Sequence, residues 1–157
     1  MKAHWMDESG RLSENIDIAT LRDEGVIYDR LDLDPARHRE PLQIFKDGQG
    51  YVQQDEVALR PDNPKLDEIC AKFLDEHCHD EDEVRFVLDG AGIFDIRARD
   101  DRWMRVEVEA GDLIVVPAGR WHRFLLTDAR SIRAVRLFKD AAGWVPHYRQ
   151  TGAEARA

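Results

Sequence analysis

Two short segments, far apart in the chain, carry side chains of ligand type, and together they dictate how the chain must fold. The first is His77-Cys78-His79-Asp80-Glu81-Asp82-Glu83. The second runs Gly111-Asp112-Leu113-Ile114-Val115-Val116-Pro117-Ala118-Gly119-Arg120-Trp121-His122. A strand sends alternate side chains to one face, so His77 and His79 point the same way from backbones roughly 6–7 Å apart. That gap suits two ligands converging on one ion, and it turns Cys78 to the opposite face. The candidate ligands lie on separate strands, so only a rolled sheet brings His122 to His77 and His79. A double-sheet jelly roll does this.

The pattern of the chain agrees. From residue 75 onward it consists of short strands with turns between them. Residues 83–88 read as one strand, closed by Asp89-Gly90, and residues 93–97 as the next, followed by the turn at Asp100-Asp101-Arg102. Residues 103–109 alternate apolar and charged, so one face is buried and the other wet. Residues 112–116, 121–126 and 132–138 complete the set, a density that indicates an all-β sandwich or barrel. Before residue 75 helix and strand are mixed. Residues 16–24 read as a helix ended by Gly25, 26–33 as a strand and 41–46 as a helix, with a break at Asp47-Gly48-Gln49-Gly50. Apolar residues at 66, 69, 70, 73 and 74 have helical spacing, with Asn63 as cap and Pro64 in the first turn. With no internal repeat or linker, the expectation is one domain over residues 1–157. Residues 1–74 pack on a metal-binding core of residues 75–149.

Composition excludes several functions. The chain has 157 residues, 43% hydrophobic and 35% charged, with a net charge of -9. Phosphate binding needs a basic surface, so nucleic acid is not an expected partner. No apolar run approaches a membrane span, and the opening Met1-Lys2-Ala3-His4-Trp5-Met6-Asp7 lacks the apolar core of a signal peptide. Cys70 and Cys78 form no Cys-x-x-Cys pair, which fits a reducing cytosol. The expected setting is a cytoplasmic monomer acting on small molecules.

Three imidazoles and a carboxylate, from His77, His79, Glu83 and His122, suit a divalent first-row transition metal. Four protein ligands on an octahedral ion leave two positions open, and open positions mark a metal that does chemistry. The rest of the acidic run, Asp75-Glu76 and Asp80-Glu81-Asp82, reads as a solvated face. His4, His38 and His147 have no ligand spacing.

These residues resemble the cupins. The first cupin motif, His-x-His, then Glu, then Gly, is matched by His77, His79, Glu83 and Gly90. The second is matched by Gly111, Pro117, Gly119 and His122. Ala71 and Leu126 depart from it at positions that are not ligands. Within the cupins, Phe73-Leu74-Asp75-Glu76-His77-Cys78-His79, Asp82-Glu83-Val84-Arg85-Phe86 and Ala134-Val135-Arg136-Leu137-Phe138 are similar to the acireductone dioxygenases, as is the tail Trp144-Val145-Pro146-His147-Tyr148-Arg149. Agreement is strongest over residues 64–149.

The resemblance implies a mostly β cupin barrel with a few peripheral helices. It implies one Fe(II) or Ni(II) per chain, held by His77, His79, Glu83 and His122. It also implies reaction of O2 with 1,2-dihydroxy-3-keto-5-methylthiopentene in methionine salvage. The products are formate and 4-methylthio-2-oxobutanoate with iron, or formate, carbon monoxide and 3-methylthiopropionate with nickel. Arg85 and Arg136 are the implied catalytic arginines, and Phe73, Phe124 and Trp144 the implied substrate contacts. An arginine beside the site favours a doubly deprotonated enediol, and Arg85 shares a strand face with Glu83. The plainer alternatives are a surface-pointing Arg136 and aromatics that only pack the core. At the level of function the alternatives are another metal-dependent cupin oxygenase or isomerase, or a non-catalytic cupin that binds a small ligand.

Overall fold

A computed structural model describes residues 1–140 and 145–149. In chain order the elements are β1 (Lys2–Met6), β2 (Leu12–Asn15), α1 (Ile18–Asp23), β3 (Ile27–Arg30), α2 (Pro35–Gln49), β4 (Gln53–Leu59), α3 (Leu66–Leu74), β5 (His77–Cys78), β6 (Glu83–Arg97), β7 (Trp103–Glu109), β8 (Asp112–Val116), β9 (His122–Leu126), β10 (Ile132–Phe138) and β11 (His147–Tyr148).

The strands form two antiparallel sheets that share β6. Where the sequence predicts two strands, 83–88 and 93–97, with a turn at Asp89-Gly90, there is one strand of 15 residues bent at Gly90. Gly90 has φ +79°, and a Cβ there would lie 2.1 Å from the Ser131 carbonyl oxygen. Only glycine permits that conformation and that approach of β10. The register between β6 and β10 slips beside this point, the signature of a bulge. Before the bend β6 pairs with β8 and β10; after it, with β7 and β9. One sheet therefore runs β4-β10-β6-β8-β3 and the other β11-β5-β9-β6-β7-β1-β2. The mostly β cupin-type barrel expected from the sequence is present.

The centre of the first sheet is buried on both faces, which is why residues 113–116 of β8 read as an unbroken apolar run. Ile114 and Val116 face the core between the sheets. Leu113 and Val115 face outward with Val84, Phe86, Val135 and Leu137, where Leu42 of α2 covers them. β7, β8 and β10 have the predicted bounds. The N-terminal part does more than pack on the barrel: β1 extends the second sheet along β7, while β3 and β4 extend the first along β8 and β10.

The helices differ from expectation at their ends. α2 is much longer than residues 41–46. Asp34 is its cap, accepting from the Ala36 amide, Pro35 occupies the first turn and Gly50, at φ +78°, ends it. Pro41 lies inside the helix on an exposed face, so the carbonyl that proline leaves unbonded is open to solvent. The expected break at residues 47–50 is thus the last turn and its cap. α1 is trimmed to six residues, with Asp17 accepting from the Thr20 amide at 2.7 Å. Asn63 accepts from the Lys65 amide and so caps the turn before α3 rather than the helix itself.

Candidate metal centre

Both ligand segments arrive by strand pairing. His77 of β5 lies directly opposite His122 of β9, and His122 opposite Ile96 of β6. β5 has only two residues, and its other edge is braced by β11, with Tyr148 opposite His77. The loops beyond are tied to each other. The Gly119 amide donates to the His79 carbonyl oxygen at 2.8 Å, and Asp82 accepts from the Ala118 amide and the Tyr51 hydroxyl.

His77, His79 and His122 are buried, and one ring nitrogen from each lies within 4.8 Å of the others. Glu83 joins them: its Oε2 is 2.8 Å from His122 Nε2. Second contacts fix the ring orientations. His77 Nδ1 donates to the Asp75 carbonyl oxygen at 2.6 Å, and His122 Nδ1 to the Arg120 carbonyl oxygen at 2.9 Å. In each ring Nε2 then carries the lone pair, the tautomer a metal requires. Glu83 Oε2 and His122 Nε2 are both buried without a hydrogen bond. Two lone-pair atoms held this close repel unless a cation lies between them. Neighbouring ligands about 2.1 Å from one ion and at right angles stand about 3 Å apart, so the separation fits a shared ion.

Electrostatics favour the same state. Burial, together with the neighbouring imidazole of His122, pushes His77 below the ordinary histidine range; burial does the same for His79. Both stay neutral and free to ligate. Burial by itself would raise the Glu83 carboxyl, but its surroundings, the Arg85 guanidinium foremost, hold the group well below the usual carboxylate range.

The centre opens into a cavity of about 220 Å³. Arg85 and Arg136, cross-strand neighbours on β6 and β10, both line it. Arg85 Nη2 donates to Glu83 Oε1 at 2.9 Å and Nη1 to the Val84 carbonyl oxygen. Arg136 faces inward, and Asp55 of β4 takes its guanidinium in two parallel bonds. Phe73 and Phe124 line the cavity and meet edge to face, with centroids 6.2 Å apart. Trp144 lies outside the described residues. Sequence reasoning missed Asp55, Val57, Leu59 and Phe94 because they come from strands whose pairing it did not foresee. The acidic run is also not wholly solvated: Glu76 accepts from Arg97 and Arg149, and Asp82 joins the loops as described.

Comparison with known proteins agrees with this geometry. The acireductone dioxygenase of Dictyostelium discoideum is 41% identical over 146 residues, covering 93% of this chain and 97% of the relative. That of Gallus gallus is 37% identical, covering 95% and 88%. A solved acireductone dioxygenase from Bacillus anthracis, with a cadmium ion in its active centre, superposes with a TM-score of 0.84 at 31% identity. It covers 94% of this chain and 97% of its own. The family model described as ARD/ARD' matches residues 6–146. The chain belongs to the ARD/ARD' family.

Proposed function

We propose that this chain is a metal-dependent dioxygenase that cleaves 1,2-dihydroxy-3-keto-5-methylthiopentene with O2 in methionine salvage. The observation that carries the reading is a three-histidine, one-carboxylate cluster at the charged end of a cavity whose other end is apolar. The resident ion is Fe(II) or Ni(II), one per chain, held by His77, His79, Glu83 and His122. When bound, it supplies Lewis acidity toward the enediolate and the reaction with O2.

The chain's own residues supply the rest. Arg85 orients Glu83 and, with Arg136, presents positive charge to the substrate's oxygens. Asp55 and Glu83 cancel the formal charges of the two arginines. A divalent ion then leaves a surplus of two positive charges, which a doubly deprotonated enediol neutralises. A buried site prefers that balance. The aromatic rings of Phe73 and Phe124, with Trp144 of the tail, exclude water and receive the methylthio chain. All four ligands come from one chain, which supports a monomer as the working unit. The two free cysteines, Cys70 and Cys78, support a cytoplasmic setting.

The test is reconstitution of metal-free protein. The Fe(II) form should yield formate and 4-methylthio-2-oxobutanoate. The Ni(II) form should yield formate, carbon monoxide and 3-methylthiopropionate. His122→Ala should lose metal and both activities while the sheet signal in circular dichroism persists. Identical products from the two metals would overturn the metal-selected outcome. No acireductone consumption by either would move the chain to another cupin chemistry.

A further inference from the structure

Inner-face residues of the first sheet form three rows across β4, β10 and β6. The first row is charged: Asp55, Arg136 and Arg85. The second is apolar and small at its centre: Val57, Ala134 and Val87. The third is Leu59, Ile132 and Gly90. The facing wall changes in the same direction along β9, from His122 to Phe124, which pairs with Phe94 of β6. Phe124 lies hard against β6 because residue 92 is glycine: a Cβ there would stand 2.6 Å from the ring and 3.1 Å from Ile132 Cδ1. Phe94, Phe124, Leu59 and Ile132 thus form the apolar end of the cavity, and Ala134 and Ile132 both line it.

Dimensions make this end a measuring device. Two residues along a strand advance about 6.8 Å. A substrate tail of two methylenes, sulfur and methyl, with bonds of about 1.5 Å, reaches about 5 Å beyond the ketone carbon. With the enediol at the charged row, such a tail lies alongside Ala134, one row or about 6.8 Å on, and its methyl end points toward Ile132, one row beyond. We infer that Ala134 and Ile132 are the specificity-determining residues of this site. Ala134 leaves the width for a thioalkyl chain, and Ile132 sets the length that is accepted. This rests on the acireductone reading above.

The experiment uses acireductones with tails from a single methyl group upward in one-methylene steps, on metal-loaded protein of verified metal content. Wild type should favour the methylthioethyl tail and fall off beyond it. Ile132→Ala should move the optimum one or two methylenes longer, with each added methylene worth about fourfold in kcat/KM relative to wild type. Ala134→Leu should reject the methylthioethyl tail and retain the single-methyl substrate. Should Ile132→Ala fail to fold, Ile132→Val carries the same test with a smaller shift.

A second readout needs no turnover. Straight-chain 2-oxo acids of increasing length should raise the melting temperature up to a cut-off, and that cut-off should move with Ile132→Ala. An unchanged length profile in both readouts would overturn the inference. A wild type that consumes no acireductone, yet keeps a cut-off that moves with residue 132, would sink the substrate reading and leave the measuring device standing.

Discussion

Arg85 should act with opposite signs on the metal and on the anionic substrate. Its guanidinium is 2.9 Å from Glu83, and both side chains are nearly buried. In metal-free protein, Arg85→Ala leaves the Glu83 carboxylate in the interior without its cation. Breaking a buried pair in this way costs about 3–5 kcal/mol. A bound divalent ion gives Glu83 a second positive partner and relieves much of that cost. Whatever the ion relieves must reappear as metal affinity. Relief of about 1.5–3 kcal/mol makes metal binding roughly ten- to a hundredfold tighter. Outer carboxylates that hydrogen-bond a ligating histidine raise its basicity, and their loss weakens binding; a guanidinium on a ligating carboxylate does the reverse. The substrate moves the other way, because losing a charge-assisted contact of about 1.5–3 kcal/mol lowers kcat/KM about ten- to a hundredfold. Chelator competition measures the first effect and steady-state kinetics the second. Urea unfolding with and without metal closes the cycle. A folded Arg85→Ala protein that binds metal more weakly than wild type would refute the charge argument. Aiming Glu83 would then matter more than neutralising it.

Gly90→Ala should destabilise the protein by more than about 3 kcal/mol. The left-handed backbone contributes about 1–2 kcal/mol, and the new Cβ must displace the Ser131 carbonyl that β10 holds in place; an unchanged urea midpoint would show that the bend tolerates a side chain. Asp55 offers a pH test. The hydrogen bond from Arg136 holds its carboxyl below the ordinary range. Its folded pKa is therefore depressed, and it contributes stability that is present above about pH 4 and lost as pH falls through the folded value. Asp55→Asn should flatten the acid limb of melting temperature against pH; a limb as steep as that of wild type would place the acid sensitivity elsewhere.

The cluster of His77, His79, Glu83 and His122 is legible in the sequence because local geometry fixes its spacing, a His-x-His at the short strand β5 and a turn of set length before His122. β7 is legible because apolar and charged residues alternate along it, β8 because an apolar run stands between Gly111 and Pro117, and β10 because an apolar-rich stretch stands between polar residues. β4 is not. Its inward residues are Asp55, Val57 and Leu59, and an inward aspartate breaks the apolar alternation that marks a strand. Only the register with Arg136 explains why a carboxylate belongs on that face. The expectation of a helix over residues 41–46 falls short of α2 at its N-terminus. The stronger signal lay upstream, with Asp34 as cap and Pro35 after it, on a helix so exposed that Leu42 is its one buried residue.

Gly90 is a bend within a strand rather than the end of one, and the bend does more than change direction. Before it, odd-numbered residues face the barrel interior: Glu83 and Arg85 line the cavity, while Val84 and Phe86 pack outward under α2. After it, the even-numbered residues face inward: Phe94 lines the cavity and Ile96 joins the core, while Asp95 turns outward to Arg105 and Arg123. A strand of constant alternation cannot place both Arg85 and Phe94 in one cavity, because its side-chain period is two and their separation is odd. The bulge at Leu88 and Asp89, just before Gly90, absorbs the extra residue and reverses the alternation. A single strand can then supply the Glu83 carboxylate and an arginine to the charged end and an aromatic wall to the apolar end. The cavity thus takes its polarity from the bend in β6 as much as from the ligands themselves.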